Sequence, residues 1–178
     1  MQRTIVLEGP DGAGKSTLGE VLSKAFNRPL VHTGGANRTP EQLEARLASI
    51  EAHSPGVIFD RVSHISQWIY EETATDQPHL LPQEEMLQRL RERVHPIIVY
   101  CRRHKIDDML SSILATPKPH KPPEYTEKVK TTFPKIVELY DRVMLRAPMR
   151  FDGVIWYDWE TMTRETLIKW ISRVEEAS

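Results

Sequence analysis

Gly9-Pro10-Asp11-Gly12-Ala13-Gly14-Lys15-Ser16-Thr17 is the stretch on which the reading of this 178-residue chain turns. It satisfies G-x-x-x-x-G-K-[ST] at every position. The apolar run Thr4–Leu7 (TIVL) upstream reads as a buried strand, and Lys15–Phe26 downstream reads as a helix. Glycines let backbone N–H groups converge on an anion, and a helix N-terminus adds positive potential there. Gly9, Gly12, Ala13, Gly14, Lys15, Ser16 and Thr17 are therefore the expected phosphate cradle. Lys15 is expected to reach the β- and γ-phosphates, and the Ser16 hydroxyl to ligate Mg²⁺.

Outward from the cradle, short apolar runs alternate with helical patterns. Pro29–His32, Gly56–Asp60, Pro96–Cys101 and Gly153–Tyr157 read as four further strands. Helices are expected over Pro40–Ala52, Ser63–Thr73, Pro82–Arg93, Ile106–Leu114, Glu124–Arg146 and Thr163–Glu175, with a kink near Pro134. This alternation predicts an α/β fold with a parallel sheet covered on both faces. The length predicts one domain over residues 1–178. Thr116–Pro123 (TPKPHKPP) has four prolines in eight residues, so a small extended lid is expected at about 115–125.

Composition excludes several classes. No apolar run approaches the roughly 18 residues of a membrane span, and MQRTIVLEG carries no signal-peptide core, so no membrane role is expected. A single cysteine, Cys101, forms no internal disulfide, which fits a reducing, cytoplasmic setting. The net charge of −1 argues against a general nucleic-acid coat. Residues 101–150 nevertheless carry 11 basic and 6 acidic side chains, net +5, which points to a local anion site.

A phosphate cradle serves switches, motors and kinases alike. No Asn-Lys-x-Asp tetrapeptide occurs, which argues against a guanine-nucleotide switch. The third strand ends in Asp60-Arg61 rather than Asp-Glu, which favours a small-molecule kinase over a motor. Asp60 lies at a strand's carboxyl end, where open α/β sheets bind ligands, and is expected to reach Mg²⁺ through water. Arg61 is suited to forked binding of an acceptor phosphate or the transferring group. Glu8 is read either as a holder of metal-bound water or as a support for the loop. His64, Trp156, Trp159 and Trp170 are read as core, and one of Phe59, Trp68 and Tyr70 as a possible base-stacking partner.

These segments resemble thymidylate kinases, and in particular the compact, phage-type members of the thymidylate kinase-like group. The resemblance rests on Glu8–Thr17 (EGPDGAGKST) and on Asp60-Arg61 with Ser66 and Tyr70. It extends to His32-Thr33-Gly34-Gly35, Val99-Tyr100-Cys101-Arg102, Pro134–Met144 and Trp156–Trp159. It implies a P-loop NTPase three-layer α/β/α fold with strand order 2-3-1-4-5, ATP and Mg²⁺ as cofactors, and a monomer or homodimer. It implies transfer of the ATP γ-phosphate to a pyrimidine deoxynucleotide such as dTMP. By the same resemblance Lys15, Asp11, Asp60 and Arg61 are the catalytic candidates, and Arg38, Ser66, Tyr70, Arg102, Lys118 and Lys121 the acceptor and lid candidates. Arg103 and His120 are further sources of positive charge. The Arg-Glu-Pro that cellular members carry after strand two is absent. A hydroxyl acceptor is the alternative, either a deoxynucleoside or 5-hydroxymethyluracil in phage DNA undergoing modification. Asp11 would then be the general base.

Overall fold

The computed structural model describes residues 2–33, 37–73, 79–115 and 124–177. The strands are β1 (Ile5–Glu8), β2 (Leu30–His32), β3 (Ile58–Asp60), β4 (Ile97–Cys101) and β5 (Val154–Tyr157). The helices are α1 (Lys15–Phe26), α2 (Pro40–His53), α3 (Ser63–Thr73), α4 (Gln83–Arg89), α5 (Ile106–Ala115), α6 (Tyr125–Arg146) and α7 (Arg164–Glu176). The five strands form one parallel sheet in the order β2-β3-β1-β4-β5, as expected. The proposed lid, with Lys118, His120 and Lys121, lies outside the described residues, as do Gly34 and Gly35.

Period-2 alternation divides the core between the two sheet faces. Ile5, Leu7, Ile97 and Val99 pack with Leu18 and Leu22 of α1 and Leu167 and Ile171 of α7. Val6, Phe59, Ile98 and Tyr100 pack on the other face with Ile65 and Ile69 of α3 and Leu87 of α4. Helix α6 serves both faces, with Phe133 and Val137 in the first cluster and Leu139, Tyr140 and Met144 in the second. Each of these side chains contributes about 1.5–3 kcal/mol by leaving water.

Local signals explain the helix ends. Thr39 caps α2 by accepting a hydrogen bond from Gln42 N (3.3 Å), with Pro40 in the first turn. Thr163 caps α7 through Thr166 N (3.2 Å). One expectation needs correction. The helix expected to run to Arg93 is α-helical only through Arg89; Leu90–Val94 is a π-turn, closed by His95 in the left-handed region ahead of Pro96. Helix α6 runs through Pro134 as one element, with Phe133 and Val137 packed into the core on either side of the missing backbone donor.

Candidate active site

The cradle joins β1 to α1, and its shape explains its glycines. Gly12 has φ +75°, and a Cβ there would overlap the Met109 carbonyl. A Cβ on Gly9 would overlap the Cys101 carbonyl. Gly14 enters α1 at φ +81°. Ala13 is buried in the core under the loop. Lys15 is buried as well, and its Nζ donates to the Pro10 carbonyl (2.6 Å). Burial, reinforced by the Arg61 charge, lowers the Lys15 ammonium to about 8, while Asp11 and Asp60 pull it back up. An arriving phosphate would supply the missing anion.

A cavity of about 480 Å³ opens over this loop. Asp11, Gly12, Gly14, Lys15, Ser16 and Thr17 form its floor, and Asp60, Arg61, His32 and Ser112 form its walls. Parallel register brings these walls together: Asp60 is level with Leu7 on one side and with His32 on the other. The Ser16 hydroxyl donates to Asp60 Oδ2 (2.8 Å), and His32 Nδ1 lies 3.1 Å from the same oxygen. Two adjacent hard oxygens beside a phosphate cradle suit Mg²⁺, which takes few protein ligands and completes its shell with water and phosphate. Ser16 and Asp60 would hold it.

Arg61 sits in the left-handed region at φ +71°, unusual for a residue with a side chain. Three bonds hold it there. Its N–H donates to Leu7 O (2.9 Å), its carbonyl accepts from Thr33 Oγ1 (2.7 Å), and the following Val62 N–H donates to Glu8 Oε1 (2.7 Å). The guanidinium then lies over the Tyr70 ring (5.4 Å) and pairs with Asp11 Oδ1 (2.5 Å) and the Gly9 carbonyl (3.3 Å). Glu8 is thereby a support for the turn rather than a cavity wall. Burial pushes its carboxyl up to about 7, against the pull of the Val62 N–H, Arg61 and Lys15.

Other expected site residues lie elsewhere. Arg102 pairs with Asp141 of α6 (3.1 Å), whose carboxylate also accepts from the Tyr100 hydroxyl (2.6 Å). Ser66 Oγ donates to Val62 O (3.0 Å) within α3. Arg38 is exposed ahead of α2, where its backbone N–H donates to Gln42. His64 is buried in the core, as read. Trp156 and Trp159 are corrections: they are 40% and 52% exposed rather than core. Trp159 stands against the cradle, 3.9 Å from where a Cβ on Gly14 would be, with the Arg103 guanidinium over its ring (5.1 Å). Ser112 escaped sequence reasoning. His32 and Trp159 stood in segments quoted for their likeness and Arg103 was named for its charge, but that His32 lines the cavity and that Arg103 lies over an exposed Trp159 beside the cradle was not foreseen.

A five-stranded parallel sheet in this order, with a G-x-x-x-x-G-K-[ST] loop after β1, is a fold this chain shares with solved P-loop kinases. No family model and no curated protein matches the chain. Among solved structures it is similar to YorR from Bacillus subtilis in complex with phosphorylated GDP, with a TM-score of 0.73 and 23% identity over 97% of this chain and 95% of that one. It is similar to deoxyadenosine kinase from M. mycoides with dCMP and dCDP bound, with a TM-score of 0.62 and 17% identity over 98% and 100% of the two chains. Shikimate kinase from Acinetobacter baumannii in complex with shikimate gives 0.57 and 16% over 99% and 94%. At these identities the likeness is one of fold.

Proposed function

We propose that this chain is a kinase that transfers the γ-phosphoryl group of ATP·Mg²⁺ to a pyrimidine deoxynucleotide such as dTMP. The observation that carries the reading is the convergence, in one cavity, of the cradle with Lys15, the Ser16–Asp60 oxygen pair and the Arg61–Asp11 pair. Phosphoryl transfer asks a protein mainly for positioning and for cations around the spreading charge. Lys15 neutralises the donor phosphates, and Arg61 stands across the cavity from it. Ser16 and Asp60 would hold Mg²⁺, which when bound would supply charge stabilisation to the donor phosphates. The exposed Trp159 face, braced by Arg103 beside Gly14, is placed to stack on the donor base. The deoxyadenosine kinase that shares the fold supports a deoxynucleoside or deoxynucleotide acceptor, and the resemblance to thymidylate kinase-like proteins supports the pyrimidine.

The test is transfer from γ-labelled ATP·Mg²⁺ to a panel of dTMP, dUMP, dCMP, dGMP, thymidine, and DNA with thymine or 5-hydroxymethyluracil. Label on a pyrimidine acceptor is the expected result. Absence of transfer to every acceptor, by protein that binds ATP·Mg²⁺, refutes the reading.

A further inference from the structure

We propose, building on the kinase reading above, that His32 is a positioning residue of the Mg²⁺ site: its Nδ1–H holds the Asp60 carboxylate in place, and the ring itself stays outside the metal's ligand set. Parallel pairing sets the two residues side by side at the ends of β2 and β3, where His32 Nδ1 lies 3.1 Å from Asp60 Oδ2. A carboxylate that serves a cation is acceptor-only, so the proton in this contact belongs to the imidazole. The Ser16 hydroxyl of α1 donates to the same Oδ2 (2.8 Å). One hydrogen bond is a pivot about which a carboxylate turns. Two donors from different elements of the fold fix its rotation. Ser16 is itself an expected ligand and would share its oxygen with the ion, whereas His32 is a donor with no part in the ligand set.

The same proton keeps the imidazole off the ion. A ring nitrogen that donates N–H has no lone pair for a metal, and Nε2 points away from the oxygen that Nδ1 faces. The protein ligands at Ser16 and Asp60 are therefore oxygens, the hard set that suits Mg²⁺ and Mn²⁺. The end of β2 is itself braced for this task. Thr33 N–H donates to the Asp60 carbonyl (3.4 Å) and Thr33 Oγ1 to the Arg61 carbonyl (2.7 Å), while the Arg46 guanidinium of α2 donates to the Thr33 carbonyl. His32 thus sets the Asp60 side chain, and Thr33 sets the backbone of Asp60 and Arg61. Two adjacent residues on one strand end serve two adjacent residues on the next. Residues that orient a metal-serving carboxylate act through affinity for the ion, because a carboxylate free to turn must be ordered anew each time the ion binds.

The experiment titrates Mn²⁺ into the full chain saturated with ADP and reads the bound ion by electron paramagnetic resonance. His32→Ala should weaken Mn²⁺ binding by about 10–100-fold, with the affinity for ADP in EDTA within about twofold of the parent. His32→Asn sets an amide N–H where Nδ1–H stands and should recover most of the loss. The spin-echo spectrum of Mn²⁺ bound to the parent should show no directly coordinated nitrogen. Parental Mn²⁺ affinity in His32→Ala overturns the proposal, and so does an Asn variant no better than Ala. A coordinated-nitrogen signal that His32→Ala abolishes overturns it too, by making His32 a ligand. In each of these cases transfer from ATP by the parent chain leaves the kinase reading intact. A parent chain that binds no Mn²⁺ with ADP and transfers phosphate to no acceptor overturns both.

Discussion

The carboxyl ends of β3 and β4 flank the cradle strand β1 symmetrically, and each delivers an arginine, yet only one of the two lines the cavity. After β3, a left-handed turn at Arg61, held by Leu7, Thr33 and Glu8, redirects the side chain over Tyr70 to Asp11. After β4 the chain continues straight. Arg102 N–H still pairs with Tyr157 O (3.0 Å), and its side chain is taken by Asp141. The next residue, Arg103, turns instead to Trp159. In the proposed reading one side of the cradle would hold the reacting groups and the other a stacking platform. Position at a strand end is not enough to bring an arginine to the cavity; the backbone turn after it and the nearest carboxylate decide.

The comparison breaks most sharply at Arg61. Arg61→Lys keeps the charge but loses the fork, and should cost about 10²–10³-fold in kcat/KM with the melting temperature little changed. Parental turnover in that variant would place the reacting centre elsewhere. On the other side, Trp159→Ala should raise KM for ATP about tenfold through lost stacking, with the acceptor KM unmoved. A change in acceptor KM alone would reverse the assignment of the two sides. Arg102→Ala should instead cost about 1–2 kcal/mol of stability in urea melts, leaving a half-buried carboxylate short of its partner, with transfer rates within about twofold. A large loss of rate at unchanged stability would return Arg102 to the site.

A further effect, on stability alone, concerns the turn itself. Burial holds the Glu8 carboxyl at about 7 against an ordinary 4.5. Between those values the folded chain keeps a proton that the unfolded chain has released. Its contribution to stability is therefore full below about 4.5 and lost as pH rises toward 7. Glu8→Gln keeps an acceptor for the Val62 N–H and removes that slope, so it should gain on the parent chain between about pH 5 and about pH 8 in urea melts. An equal difference at both values would show that Glu8 is charged throughout.

Much of this was legible in the residues. The cradle is contiguous, and its chemistry resides largely in the backbone, so nine consecutive letters identify it. Asp60 and Arg61 were legible because strand ends in open α/β sheets meet ligands. Trp159 was misread because the run Trp156–Trp159 looks apolar. Asp158 accepts from the Glu160 and His104 backbone N–H groups (3.0 and 2.9 Å), and that turn leaves Trp159 exposed. His32 carried no chemical pattern of its own, since what brings it to the cavity is register with Asp60 on the neighbouring strand.

By itself, then, the sequence determined the phosphate cradle, the alternation of strands and helices and the Asp-Arg pair, all of which depend on neighbours in the chain. Only the tertiary structure decided which arginine faces the cavity, that Asp11 is its partner fifty residues away, and that an exposed tryptophan flanks the cradle. Those outcomes depend on strand register, on one left-handed turn and on which carboxylate packing brings within reach, and no local pattern encodes them.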